Sequence, residues 1–188
     1  KEPVLRVEAG GPTSYVTALA FSADGKTLYA GGWDKVVRVW TLNDKGRFVP
    51  DRIPAYRLPV GPGLSGAINA IALSADDRYV WVVNRDNNTV SVLEVKNDKY
   101  KKVREIYVGT EPRSIAITPN YKKVYVTNMV SGTVSVIDPS TYYVPRTIRV
   151  GAEPFGCALT PDGSKLYVAN FSSDNVSVIN TATDQVTH

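Results

Sequence analysis

Along the chain, apolar and polar residues alternate over short runs rich in Val, Ile, Tyr and Thr, and Gly, Pro, Asn and Asp cut one run from the next. A period of two places successive side chains on opposite faces of a strand, whereas the 3.6-residue period of a helix is nearly absent. The pattern predicts an all-β chain, and it repeats. The runs "VTALAFSADGKTLYAGGWDKVVRVW" from Val16, "INAIALSADDRYVWVVNRDNNTVSVL" from Ile68, "PRSIAITPNYKKVYVTNMVSGTVSVI" from Pro112 and "PFGCALTPDGSKLYVANFSSDNVSVI" from Pro154 share one layout, starting 52, 44 and 42 residues apart. Four-stranded propeller blades recur at roughly 40–50 residues. The longer first interval holds an insertion between Lys45 and Ala67.

Each copy supplies three strands, and a fourth precedes it: Pro3–Ala9, Ala55–Gly61, Lys102–Gly109 and Val144–Gly151. The expected order is outer, inner, middle and third strand, with each outer strand completing the blade of the preceding repeat. The repeats run approximately over 3–43, 54–96, 101–139 and 143–180, with 184–188 starting a further outer strand, all in one β-propeller domain over 1–188. Ala20, Ala72, Ala116 and Ala158 hold one small position of the inner strand, where a wedge-shaped blade is tightest. Two residues on, Ser22, Ser74, Thr118 and Thr160 offer a hydroxyl to the backbone at the turn. Hairpin residues follow: Asp24-Gly25, Asp76-Asp77, Asn120-Tyr121 and Asp162-Gly163. Tyr29, Trp81, Tyr125 and Tyr167 share one middle-strand position and read as packing between blades. Asn128 ends its strand where asparagine tolerates a left-handed or Asx turn, and Gly32 stands there in the first copy.

These features fit a family. Repeats 2 to 4 resemble the YVTN family of β-propellers: "KVYVTN" carries the signature literally, "GTVSVID" and "DNVSVIN" are its third-strand partners, and Pro119 and Pro161-Asp162-Gly163 match its hairpin. The first repeat looks more like a WD repeat, with Asp34 in the loop before the third strand and Trp40 at its end. Thr41 stands where that motif has its Asp, and no Gly-His pair precedes the repeat, so its Asp-His-Ser-Trp network is not expected. Relatives of either family have about seven blades. Four blades are therefore expected to belong to a larger ring of seven or eight, or to be completed by another chain, because an uncovered blade face is a large apolar patch. The resemblance also implies a periplasmic or cell-surface prokaryotic protein.

Composition narrows the chemistry. The chain is 43% hydrophobic, enough for a sizeable core. The formal charge of +4 comes from 22 basic and 18 acidic residues with only short clusters, at Lys99–Arg104 and Lys122–Lys123. Nucleic-acid binding wants a denser basic patch and is not expected. No apolar run approaches the roughly 20 residues of a membrane helix. The first residue is Lys1, so any targeting segment has been removed or was never included. The single histidine is His188, which leaves no catalytic dyad inside the chain and no two-histidine metal site. There is no C-x-x-C-H haem motif and no phosphate-binding loop; "GPGLSG" at Gly61–Gly66 reads as an irregular connection. Cys157 aligns with Leu19, Ile71 and Ile115 and reads as core. The polar loops Asn84–Thr89 and Ser172–Asn175 lack ordered calcium-ligand spacing and read as turns. No cofactor, metal or catalytic residue is assigned.

One group of residues remains. The loops entering the inner strands and those joining middle to third strands share one face of a propeller. They bring Trp33, Asp34, Arg85, Glu111, Arg113, Met129, Glu153, Phe155 and Phe171 to that face. Aromatic and arginine residues mixed with acids are what protein interfaces favour. The expected function is a non-catalytic scaffold that binds a protein partner, other chains of the same assembly or a surface polymer. Two further readings are a structural module of a surface layer and a lactonase-like hydrolase, for which arginine and glutamate on the loop face could serve.

Overall fold

In a computed structural model, residues 15–51, 56–57, 67–97 and 99–188 are described. The first blade is β1 (Val16–Phe21), β2 (Thr27–Gly32), β3 (Val36–Leu42), β4 (Phe48–Pro50) and β5 (Tyr56–Arg57). The second is β6 (Ile68–Leu73), β7 (Tyr79–Asn84), β8 (Thr89–Lys96) and β9 (Lys99–Tyr107). The third is β10 (Pro112–Ile117), β11 (Val124–Asn128), β12 (Thr133–Asp138) and β13 (Tyr143–Arg149), and the fourth β14 (Pro154–Leu159), β15 (Lys165–Asn170), β16 (Asn175–Asn180) and β17 (Gln185–Val186). All pairs are antiparallel, and each outer strand completes the preceding blade. In the first blade β4 and β5 divide the outer place, β4 on the Trp40 end of β3 and β5 on the Val36 end. The insertion read from the sequence thus supplies β4. The strand expected over Pro3–Ala9 and the connection at Gly61–Gly66 lie outside the described residues.

The hairpins form as their side chains dictate. Ser22, Ser74, Thr118 and Thr160 each accept, at Oγ, the amide five residues on, at or just before the start of the following strand and 2.9–3.1 Å away, and Ser22, Ser74 and Thr160 also donate to the turn aspartate. Gly25, Asp77, Tyr121 and Gly163 take positive φ at the turn. The Thr160 hydroxyl and the Ser164 amide hold the Asp162 carboxyl down to about 2.

Hydrophobic clusters fill the three spaces between consecutive blades. The middle-strand aromatics lead each cluster. Tyr29 packs edge-on against Tyr100 of the second blade, ring centroids 6.0 Å apart. Trp81 donates its Nε1–H to Tyr121 Oη of the third blade at 3.1 Å and packs against Tyr142. Tyr125 donates to Asp184 of the fourth blade at 2.7 Å, and burial with that carboxylate drives its ionisation far upward. The fourth blade departs from the expectation: Tyr167 is 42% exposed.

The asparagine that ends the middle strand of the last three blades also corrects the sequence reading. Asn84, Asn128 and Asn170 are buried and are not among the residues with positive φ. Each amide nitrogen instead reaches two oxygens of the third strand: Thr89 and Ser91, Thr133 and Ser135, Asn175 and Ser177, at 2.8–3.1 Å. Each asparagine is a clamp across two strands, not a turn former. Asn128 and Asn170 also sit against a glycine that leads into the next inner strand. A Cβ on Gly109 would stand 2.6 Å from Asn128 Cγ, and one on Gly151 2.6 Å from Asn170 Cγ. Gly32 replaces the asparagine because a Cβ there would meet the Tyr15 carbonyl oxygen at 2.0 Å.

Two outcomes are expected. Gly109→Ala costs about 2 kcal/mol of unfolding free energy through overpacking. In an Asn128→Gly background the same change costs about 1 kcal/mol less, a coupling that a urea-unfolding cycle reads directly. In a carboxyl NMR titration, Asp162 has its midpoint near 2, below the ordinary 3.8, and Thr160→Val moves it upward. Because the folded value is depressed, the ionised form stabilises the hairpin at neutral pH, and that contribution is lost as pH falls from 3.8 through about 2.

Candidate functional site

The inner strands open with a shared irregularity. Their register slips between Val16 and Ala18, Ile68 and Ala70, Pro112 and Ser114, and Pro154 and Cys157. Such a bulge leaves a residue unpaired and re-aims its side chain. Thr17, Asn69, Arg113 and Phe155 fall in these slips, three residues before the repeated alanine of each copy. Each of the first three reaches the next blade. The Thr17 hydroxyl donates to the Ile68 carbonyl, Asn69 Nδ2 donates to the Pro112 carbonyl at 3.4 Å, and the Arg113 guanidinium lies over the Phe155 ring, 5.1 Å from its centroid. The row runs along the loop-bearing ends of the inner strands.

Arg113 is the centre of the site. Its Nε donates to Met129 Sδ at 3.1 Å and its Nη2 to Glu111 Oε2 at 3.2 Å. Phe155 continues to Phe171, ring centroids 6.5 Å apart, and both rings are exposed. Glu111, Arg113, Met129, Phe155 and Phe171 are therefore brought together across the third and fourth blades. Guanidinium, thioether and two open rings make an adhesive patch, with further guanidinium N–H groups beyond the two in use.

The other expected residues are placed on the same face but apart from this group. Trp33 is half exposed and packs edge-on against Tyr15, centroids 5.3 Å apart. Asp34 pairs with Arg38 at 2.5 Å with its carboxylate nearly buried, a structural role within the first blade. Arg85 pairs with its neighbour Asp86 at 2.5 Å. Glu153 accepts a hydrogen bond from the Ser172 hydroxyl. Sequence reasoning missed Tyr15, Thr17 and Asn69. It also missed Asn88, whose side chain accepts from the Glu111 amide at 2.9 Å. The signal for Thr17 and Asn69 was their fixed spacing from the alanine; Tyr15 and Asn88 had none.

Glu111 and Glu153 each precede a proline with φ of 52°. Their carbonyls accept the amides of Met129 and Phe171 at 2.9 Å, so this backbone shape joins the two sets of loops. Cys157 is half-buried and packs against the cluster between the third and fourth blades, and burial pushes its thiol up to about 11. Among the described residues, no group of three or more His, Cys, Asp or Glu side chains is placed to hold a metal ion. No described helix is long and apolar enough to cross a membrane.

Sequence profiles agree with this architecture. That of YNCE-like beta-propellers matches residues 58–180, the repeats with the YVTN-like strand, and that of the WD domain, G-beta repeat, matches residues 3–41. No curated protein sequence matches the chain. Among solved structures, Kuenenia stuttgartiensis hydrazine synthase superposes with a TM-score of 0.75 at 22% identity, over 97% of this chain and 52% of that one. A protein from Bacteroides uniformis, provisionally assigned as a 6-phosphogluconolactonase, gives 0.77 at 17% identity over 93% and 54%. A functionally unknown protein from Desulfotomaculum acetoxidans gives 0.71 at 17% identity over 94% and 56%. The chain spans about half the length of these proteins, and identities this low show a shared fold alone.

Backbone shape at Glu153 is testable. Glu153→Val puts a β-branched residue at positive φ and costs about 1–2 kcal/mol in urea unfolding, whereas Glu153→Gly changes stability by less than about 0.5 kcal/mol.

Proposed function

Because the chain belongs to the YNCE-like beta-propeller family, we propose that it works as a non-catalytic scaffold that binds a protein through its loop face. The observation that carries this reading is the patch around Arg113: a guanidinium stacked on Phe155, beside Met129 and the open ring of Phe171. Exposed aromatic rings, methionine and arginine at one place are enriched in protein interfaces, where they give large contact area at low conformational cost. Two inner-strand bulges hold the patch in place, and the family supplies the rigid blades beneath it. The YVTN-like strands support a location in the periplasm or at the cell surface. A surface polymer is the second partner class, favoured by the row of aromatic rings Phe155 and Phe171, which suits stacking on sugar rings.

The lactonase reading is weaker. It would need Arg113 and Glu111 to act on a lactone, yet these two side chains pair with each other. The relative provisionally assigned as a lactonase shares the fold at 17% identity, which carries no residue roles.

Screening the protein against peptide and glycan arrays, with variants in parallel, tests the proposal. A genuine partner loses at least about tenfold in affinity on Phe171→Ala and on Arg113→Ala, as interface anchors do. Binding is unchanged by Tyr143→Ala, an exposed residue at the far end of the third blade. Affinity that survives both loop-face changes sinks the site. Hydrolysis of a sugar lactone that is lost on Arg113→Ala overturns the non-catalytic reading.

A further inference from the structure

The rim of the second blade differs from the rims of its neighbours. Its outer strand, β9, pairs with β8 from Tyr107 back to Lys99, and no described strand pairs with its other edge. At nine residues β9 is longer than the outer strands of the first and third blades, where β4 has three, β5 two and β13 seven. Pro50 ends β4 and Pro145 lies within β13, and proline lacks the amide that a further strand would pair with. β9 holds no proline. The Val108 amide donates to the Asn88 carbonyl at 2.9 Å. Alternation along an antiparallel pair then turns the backbone amides and carbonyls of Glu105 and Tyr107 outward. Edge groups of this kind are a template for pairing with another chain. Charge is concentrated at the same place. Residues 96–107 hold five basic and two acidic side chains, and so +3 of the chain's net +4. Lys99, Lys101, Lys102 and Arg104 are exposed, and Lys102 is neutralised by Glu105 at 2.7 Å. The register sets Lys99 directly opposite Lys96, a like-charge pair that destabilises the ladder.

We propose that the outer edge of β9 takes an extended acidic segment of another protein as a fifth strand of the second blade. Backbone groups supply the pairing, and the lysines select the partner by sign. Lys99 and Lys101 alternate along β9 and so project to one side of it. An incoming strand with Asp or Glu at every second position sets carboxylates beside them and offsets the repulsion between Lys96 and Lys99. A second copy of this chain is not the occupant, because β9 paired with itself would set +3 against +3. The same charges disfavour neutral strands, which bring no compensating carboxylates. The edge lies in the plane of the blade, so the seals to the first and third blades leave it open. It is on the rim and does not rest on the loop-face reading.

A fluorescent peptide that alternates Glu with Val over about ten residues, the length of a long strand, tests this on the whole protein by anisotropy. The expected result is saturable binding that weakens with salt, together with slowed hydrogen exchange at the Glu105 and Tyr107 amides. The double change Lys99→Glu, Lys101→Glu lowers affinity at least about tenfold, through like-charge repulsion at the contact. Both lysines are exposed, so this variant keeps its circular dichroism spectrum and a cooperative melt. A peptide analogue with methylated backbone amides keeps the charge and loses binding, with the protein untouched. Absence of binding at low salt overturns the inference, as does unchanged exchange at both amides. So does affinity that survives the two lysine changes. Equal affinity for the methylated analogue, or for alginate as an anionic polysaccharide, also overturns it, since either result marks a charged patch and not a docking strand.

Discussion

Everything in this molecule depends on one blade sealing the next. A four-stranded sheet with apolar side chains on both faces cannot be stable alone in water, since burying those faces is the main favourable contribution to folding. Here the seal is made at the same place each time, over the aromatic residue in the middle strand. The chemistry of the seal varies: a ring edge over Tyr29, a phenol oxygen for the Trp81 N–H, a carboxylate for the Tyr125 hydroxyl. The geometry does not. Stability in such an arrangement approximates a sum over neighbours, as in other repeat proteins.

Two local devices convert the stack of blades into a presenting surface. The asparagine clamp ties the middle strand to the third, and at Asn128 and Asn170 it fixes how closely Gly109 and Gly151 can approach. The bulge then turns one side chain per blade toward the loop-bearing end. In the first two blades that side chain is small or polar and is spent on the next blade's backbone. In the third and fourth it is Arg113 and Phe155, and the rings beside them stay open to solvent. The patch is thus a variation on a structural position. Rigid strands hold it, which keeps the entropic cost of binding low.

Much of the fold was legible because it rests on local rules repeated four times. Alternation gave the strands, turn residues gave the hairpins, and spacing gave the blades. The hydroxyls at Ser22, Ser74, Thr118 and Thr160 were readable for the same reason. The asparagine was misread because a strand-ending Asn has two physical uses, and only the position of its third-strand partners decides between them. Tyr167 was misread because its fate depends on a neighbouring blade, not on its own strand. At the site, the face was legible and the grouping was not. Asp34 and Arg85 look as available as Arg113 in sequence, but Arg38 and Asp86 occupy them. A bulge of one residue leaves no mark in a single copy, so Thr17 and Asn69 emerge only when the copies are aligned on their alanine.

The central claim is that the seal between blades, not the strand itself, stabilises the middle-strand aromatic. Tyr125 and Tyr167 are the same residue at the same place in consecutive repeats, differing only in what lies over them. Urea unfolding compares them directly. Tyr125→Ala is expected to cost about 3–5 kcal/mol, as for other fully buried aromatics, and Tyr167→Ala less than about 1 kcal/mol. Equal losses at the two positions would contradict the account.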